Sequence, residues 1–237
     1  MPYQYFECQV TKIIQESPDV RRFIIRYPDD IQLNFIPGQF IMLDLPIESK
    51  ITNRSYSIAS APGDDNSLEL VIVINPHGLG TQFLFHHVTQ GSAIRCTLPI
   101  GKFRLIDPFD REVCFVCTGT GIAPFRSMIH HQLKHGNPPH KMILIMGART
   151  KQDLLYQEEM ERLSSEHEML EYHPVLSREE SWEGYKGYVH QVYLNRYKEP
   201  SQTIFYLCGW AAMLKEAREN LQSLVFDKKQ IRFESYD

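Results

Sequence analysis

The chain of 237 residues has no surplus of positive charge: 25 lysines and arginines stand against 29 aspartates and glutamates, a formal net charge of −4. Nucleic-acid binding leans on basic surface, so general affinity for DNA or RNA is not expected. No apolar run approaches the roughly 20 residues that a membrane helix needs. The opening Met1-Pro2-Tyr3-Gln4-Tyr5 lacks the basic and apolar regions of a secretion signal, which makes the cytoplasm the expected location. Cysteine is scarce, five in all, and fits reduced thiols there. Cys114-x-x-Cys117 has metal-like spacing, but in a strand those two side chains point to opposite faces. No second pair exists, so no metal is expected. The C-x₄-C-x₂-C spacing of a plant-type iron–sulfur cluster is missing too. Repeats and low-complexity tracts are also absent.

What is there reads as an ordinary globular chain, 43% hydrophobic and 23% charged. Residues 1 to about 107 read as short strands punctuated by turns, among them Val20–Tyr27, Phe40–Leu45 and Ser67–Ile74. Strands at this spacing, with Gly and Pro between them, indicate an antiparallel barrel or sandwich. One helix is expected here, Thr81–Val88, with Thr81 as its cap. Beyond about Pro108 the rhythm changes. Strands at Glu112–Cys117, Lys141–Met146, Tyr172–Leu176 and Thr203–Cys208 alternate with helical stretches, one running to about His135 and one from Asp153 to Ser164. That alternation implies a parallel sheet with crossover helices and a boundary near residue 108.

Three motifs carry chemistry. Arg54-Ser55-Tyr56-Ser57 sets a cation, an aromatic ring and two hydroxyls in a strand that follows the Pro37-Gly38-Gln39-Phe40 turn. The set suits an anionic ligand bearing a flat redox ring. Nearby, Val71-Ile72-Val73 offers strand amides to such a ring's edge, and Gly78-Leu79-Gly80-Thr81 opens a helix whose free N–H groups favour phosphate. The second motif, Thr118-Gly119-Thr120-Gly121-Ile122-Ala123-Pro124, follows a strand. Gly119 and Gly121 allow close backbone approach, and Pro124 suits the first turn of the next helix. The third, Cys208-Gly209-Trp210-Ala211-Ala212-Met213, ends the last predicted strand.

The order of these motifs resembles the ferredoxin–NADP reductase family of flavoproteins, over nearly the whole chain. The resemblance implies an N-terminal antiparallel six-stranded β-barrel for FAD (residues 1–107) and a C-terminal Rossmann-like parallel α/β domain for the nicotinamide nucleotide (108–237). It implies that Arg54 binds the flavin's phosphate, Tyr56 covers the isoalloxazine and Ser57 contacts N5. It places Cys208 beside the nicotinamide, with Met213 in the following helix. FAD would sit between the domains. Tyr236, in the tail Phe233-Glu234-Ser235-Tyr236-Asp237, would cover the other flavin face as a movable gate, with Glu234 as a nearby proton-handling group. Asp237 extends the chain past the family's terminal tyrosine position.

NADPH differs from NADH by a 2′-phosphate, whose recognition needs cations, preferably arginine. Arg149, Ser177 and Arg178 follow two neighbouring predicted strands and are the candidates, so NADPH is favoured. The Trp182-x-Gly184 spacing to Gly187-Tyr188-Val189 instead resembles NADH-using oxygenase reductases. The expected activity is hydride transfer between NADPH and FAD, with onward electron transfer to a ferredoxin or flavodoxin. Alternatives are an NADH-dependent reductase partner of an oxygenase, a flavin reductase that uses flavin as substrate, or an electron-transfer subunit of a larger complex. Tyr56 favours retained FAD, since the flavin reductases tend to carry phenylalanine there. An acidic ferredoxin would want basic surface, to which Arg21, Arg22, Lys102, Arg104, Lys228 and Lys229 are candidate contributors.

Overall fold

The computed structural model describes residues 3–47, 50–136 and 138–236. Asp237 therefore lies outside the described residues, as do Met1 and Pro2. The chain divides into two compact units, Met1–Arg104 with Arg126–His131, and Leu105–Phe125 with Gln132–Asp237.

The first unit holds β1 (Tyr5–Ser17), β2 (Val20–Arg26), β3 (Phe40–Ile47), β4 (Lys50–Ser57), β5 (Ser67–Val73), α1 (Leu79–His87) and β6 (Ala93–Thr97). The strands form one antiparallel sheet in the order β4-β3-β6-β1-β2-β5. Its two ends meet where Ile58 bridges Leu70 and the Ala59 N–H donates to the Glu69 carbonyl at 2.8 Å, which closes the barrel. Alternation along the strands sends Val10, Phe23, Ile25, Ile41, Leu43 and Leu45 inward, where they pack with Leu84 and Phe85 of α1. Tyr27 is fully buried in this core, and its hydroxyl donates to the Thr97 carbonyl at 2.5 Å. β1 runs longer than its neighbours because register shifts between Val10 and Lys12 and between Gln15 and Ser17 let it bend around the barrel.

The second unit holds β7 (Val113–Thr118), the two ends of α2 (Ala123–Lys134), whose Arg126–His131 are counted with the first, β8 (Met142–Ala148), α3 (Gln157–Glu166), β9 (Leu170–Leu176), β10 (Tyr185–Lys186), α4 (His190–Arg196), β11 (Ile204–Gly209), α5 (Ala211–Ser223) and β12 (Ile231–Ser235). The strands are all parallel, in the order β10-β9-β8-β7-β11-β12. β7, β8 and β11 are buried almost throughout, as central strands covered on both faces must be. Successive strands step outward from β7 to β10, after which the chain returns to the other side of β7 as β11. The order thus reverses between β7 and β11, where parallel α/β sheets bind ligands at the carboxyl ends of their strands.

Two local expectations are corrected. Thr81 does not cap α1. Gly78 is the cap residue, without a side-chain cap bond, and Thr81 lies within the first turn. Its hydroxyl accepts from the Asn75 N–H at 2.9 Å and donates to the Gly78 carbonyl at 3.1 Å, bracing the turn before the helix. The helix expected from Asp153 begins at Gln157 instead. Thr150 and Asp153 close a separate 3₁₀ turn through a reciprocal capping box, Leu154 is extended, and Tyr156 takes φ +55°. Residues 231–235 of the tail are strand β12, paired with β11.

Candidate functional site

In the first unit, β4 pairs with β3 along its length, Arg54 opposite Leu43, Ser55 opposite Met42, Tyr56 opposite Ile41 and Ser57 opposite Phe40. Alternation then separates the side chains of Arg54 and Tyr56 from those of Ser55 and Ser57. Arg54 and Ser55 are exposed, Tyr56 is half-buried against the barrel core, and Ser57 is buried. Burial pushes the Tyr56 phenol up to about 12, the Arg54 charge offsetting only part of it, so the ring is a neutral, largely apolar face.

Arg54 lies against the start of α1. A Cβ on Gly80 would stand 3.0 Å from Arg54 Cγ and 3.2 Å from its Nε, so only glycine lets the guanidinium stem lie along the first turn. The first-turn N–H groups of a helix have no partners within it, and Gly78 supplies no side-chain cap. A guanidinium beside uncapped N–H groups is a two-sided cradle for a phosphate-bearing ligand. Val71 and Ile72 are buried and Val73 half-buried. One edge of this stretch is bound to β2, while the closing bridge ends at Leu70. The other edge of Val71–Val73 is thus left outside any ladder among the described residues. The expected docking cations Arg21 and Arg22 are engaged elsewhere: Arg21 donates to the Phe85 carbonyl at 2.9 Å and lies over the Phe85 ring, and Arg22 pairs with Glu16 at 2.9 Å.

In the second unit the glycine loop follows β7 at the reversal point. Gly119, Thr120 and Gly121 form a 3₁₀ turn, Gly119 with φ +53°, and Pro124 stands at the start of α2 where its missing N–H costs nothing. A Cβ on Gly121 would overlap the Cys208 carbonyl, 2.7 Å from its carbon, so the loop rests on the end of β11. Gly209 takes φ +141°, and a Cβ there would meet Thr118 Oγ1 at 2.5 Å and Met213 Cε at 3.2 Å. Met213 is a buried core residue beneath that glycine. Thr118 Oγ1 is itself buried without a hydrogen-bond partner among the described residues. An orphaned hydroxyl between two glycine turns suits a polar ligand passing over the strand ends. Thr118 opens the glycine-loop motif but drew no role from it, because only the pairing of β7 with β11 brings it to Gly209.

Across the β11–β12 ladder Cys208 stands beside Glu234 and Gly209 beside Ser235, and the Tyr236 N–H donates to the Gly209 carbonyl at 3.2 Å. Burial pushes the Cys208 thiol well up; the Glu234 charge adds to this and the Tyr236 side chain offsets a little. Cys208 is therefore a neutral wall, not a thiolate nucleophile. At the ends of β8 and β9, the Arg178 N–H donates to the Arg149 carbonyl at 2.8 Å, and Ser177 N and Oγ both donate to the Ala148 carbonyl. Both arginines are exposed and carry no ion pair among the described residues. Among the described residues no cluster of His, Cys, Asp and Glu has the arrangement of a metal site.

Comparison with known proteins places these features in a family. Residues 7–105 match the oxidoreductase FAD-binding domain and residues 115–219 the oxidoreductase NAD-binding domain. Ferredoxin–NADP reductase B of Sorangium cellulosum is 32% identical over 241 residues, covering 98% of each chain. The glycine betaine monooxygenase reductase subunit of Pseudomonas aeruginosa is 30% identical over 229 residues, 95% of this chain but 62% of that subunit's length. A crystal structure of a ferredoxin NADP⁺ reductase from Neisseria gonorrhoeae with bound FAD and NADP superposes with a TM-score of 0.86, over 99% of each chain at 24% identity, a likeness of fold. This chain belongs to the ferredoxin–NADP reductase family, as an oxidoreductase with an FAD-binding and an NAD-binding domain.

Proposed function

We propose that the protein oxidises NADPH through bound FAD and passes the electrons to a small redox protein of the ferredoxin or flavodoxin kind in the cytoplasm. Residues 1–107 would serve the flavin and 108–237 the nucleotide. The redox chemistry is that of bound FAD: hydride in from NADPH, electrons out singly or in pairs. The chain's own part is positioning and polarity. Arg54 and the N–H groups from Gly78 to Thr81 would hold the pyrophosphate, with Gly80 giving the backbone room. Tyr56 would cover one ring face, Ser55 and Ser57 would offer hydroxyls, Ser57 toward N5, and Val71, Ile72 and Val73 would offer edge amides. Gly119, Thr120, Gly121 and Pro124 would carry the nucleotide's phosphates over the strand ends. Cys208, Gly209 and Met213 would wall the nicotinamide, keeping water from it. Tyr236, held beside Cys208, would move aside when nicotinamide arrives, and Glu234 would handle a proton nearby.

The observation that carries NADPH over NADH is the pair of exposed guanidiniums, Arg149 and Arg178, unpaired and linked backbone to backbone. Arginine is the side chain best shaped for a 2′-phosphate. Steady-state oxidation of NADPH and NADH with ferricyanide tests it: Arg178→Ala should raise KM for NADPH roughly tenfold or more and leave NADH unchanged. An unchanged preference removes the assignment. A second reading, reductase partner of an oxygenase, is favoured by the 30% identical monooxygenase reductase subunit. Turnover with a purified ferredoxin against an oxygenase component separates the two.

A further inference from the structure

FAD differs from FMN by an adenosine monophosphate, and the barrel unit carries a second concave surface beside its phosphate cradle. A groove of about 590 Å³ opens between the end of β3, at Pro46 and Ile47, and one face of α1. Pockets for small ligands run to roughly 300–1,000 Å³. On the helix side it is lined by Leu79, Gln82, Phe83, His86 and His87, at the three- and four-residue spacing that stacks side chains along one face. Leu79 stands next to Gly80, the glycine along which the Arg54 stem lies, so the groove begins where the cradle ends. From Leu79 to His87 it follows the helix for about 12 Å, room for a base and its ribose.

Its chemistry differs from the cradle's. No lysine, arginine or carboxylate lines it among the described residues, so it offers no charge to a phosphate. What it offers is flat and apolar. The Phe83 and His87 rings lie 5.4 Å apart, tilted by 33°. Phe83 is anchored by packing on the barrel core, and Leu79 is 49% exposed although large and apolar. Gln82 is fixed by its Nε2 bond to the Asn75 carbonyl at 3.2 Å. Aromatic rings among apolar walls suit a heteroaromatic base, since every base presents a π-face.

We propose that this groove holds the adenosine half of FAD, the adenine lying against the Phe83–His87 ring pair, and that it makes the protein select FAD over FMN. This rests on the reading of Arg54 and Gly80 as the seat of the flavin's pyrophosphate. Continuity with that seat assigns the groove to the cofactor and not to another protein. FMN would fill the cradle and leave the groove empty, so only FAD gains from the rings.

The test is calorimetric titration of the full chain, stripped of flavin, with FAD and with FMN, for Phe83→Leu, Phe83→Tyr, His87→Ala and Arg54→Ala beside wild type. Phe83→Leu keeps an apolar side chain on the barrel core and removes only the ring, and His87 is exposed, so neither change threatens the fold. Wild type should bind FAD at least about tenfold tighter than FMN. Phe83→Leu should weaken FAD roughly tenfold and His87→Ala a few-fold, with FMN held within about twofold and Phe83→Tyr close to wild type. The proposal fails if wild type binds the two flavins alike, if Phe83→Leu weakens both equally, or if it leaves FAD within about twofold of wild type. A raised KM for a ferredoxin with FAD binding unmoved would give the groove to a protein partner and overturn it as well. Arg54→Ala should weaken FAD and FMN together. If it weakens neither, the reading of the cradle falls first.

Discussion

The two units meet their ligands by opposite means. In the barrel unit the proposed contacts are side chains spelled out consecutively on one strand, Arg54 to Ser57, with a single helix start added. In the α/β unit close backbone approaches, Gly121 on Cys208 and Gly209 on Thr118, are joined by side chains gathered from the ends of five strands by the topology of the sheet. A strand that displays side chains can lose one and keep its shape. A site made of close backbone approaches has no such tolerance, because its glycines are there to let main chains touch. The barrel site should therefore fail by losing affinity, and the α/β site by losing its architecture.

The largest effect expected is at Gly121. Gly121→Ala would drive a methyl into the Cys208 carbonyl, and neither backbone can yield without parting β7 from β11. Overpacking of this kind costs about 1–3 kcal/mol, and the turn over which the nucleotide passes would shift. Turnover with NADPH should drop more than about 100-fold while the purified protein stays yellow. If Gly121→Ala keeps wild-type KM and thermal midpoint, the close approach is not what the loop is for. Next comes Arg54→Ala, which removes the charge beside the first turn of α1 together with the stem that lies along Gly80. FAD retention should weaken roughly 10- to 100-fold, the usual weight of a charge-assisted hydrogen bond pair. Binding to an immobilised adenosine 2′,5′-bisphosphate should stay as in wild type. Equal loss of both ligands would show that the sites do not act independently.

The same contrast explains what the sequence made legible. Arg54-Ser55-Tyr56-Ser57 and the Gly119–Pro124 loop were readable because each is a local word: its residues serve a turn, a strand face or a helix start within a few positions. The switch from short antiparallel strands to the buried strands of a parallel sheet was readable for the same reason, since period and burial are local. Thr118 was not readable, because its hydroxyl becomes an orphan only when Gly209, distant in sequence, is laid beside it. Thr81 resembled a cap but was drawn into the Asn75–Gly78 turn by two hydrogen bonds that composition does not announce. The late start of α3 follows from the Thr150–Asp153 capping box, a short-range competitor to helix that amphipathic spacing hides. The tail gains its strand from β11, a long-range partner, although its own residues at 232, 233 and 235 are exposed.

The smallest effect sharpens the comparison from the far end of the second unit. Glu171, at the opening of β9, accepts from Lys141 at 2.5 Å and from Arg196 at 2.7 Å, with His173 at 3.3 Å. Burial alone would raise its carboxyl, but these donors and the Arg196 charge overcome that and hold it down, from 4.5 to about 2. A carboxyl more acidic in the folded than in the unfolded chain stabilises the fold above the unfolded value, and that contribution is lost as pH falls through the folded one. The window is therefore roughly pH 4.5 down to 2. The group is partly exposed, so solvent screens the gain and the shift in midpoint should be modest. Urea titrations at pH 7 and pH 3 should find wild type losing more stability between the two than Glu171→Gln does. The difference should appear in probes of the α/β unit and not in flavin fluorescence. An equal loss in both proteins would mean that the Lys141–Glu171–Arg196 cluster is a solvated decoration, and that the second unit owes its shape to the buried sheet alone.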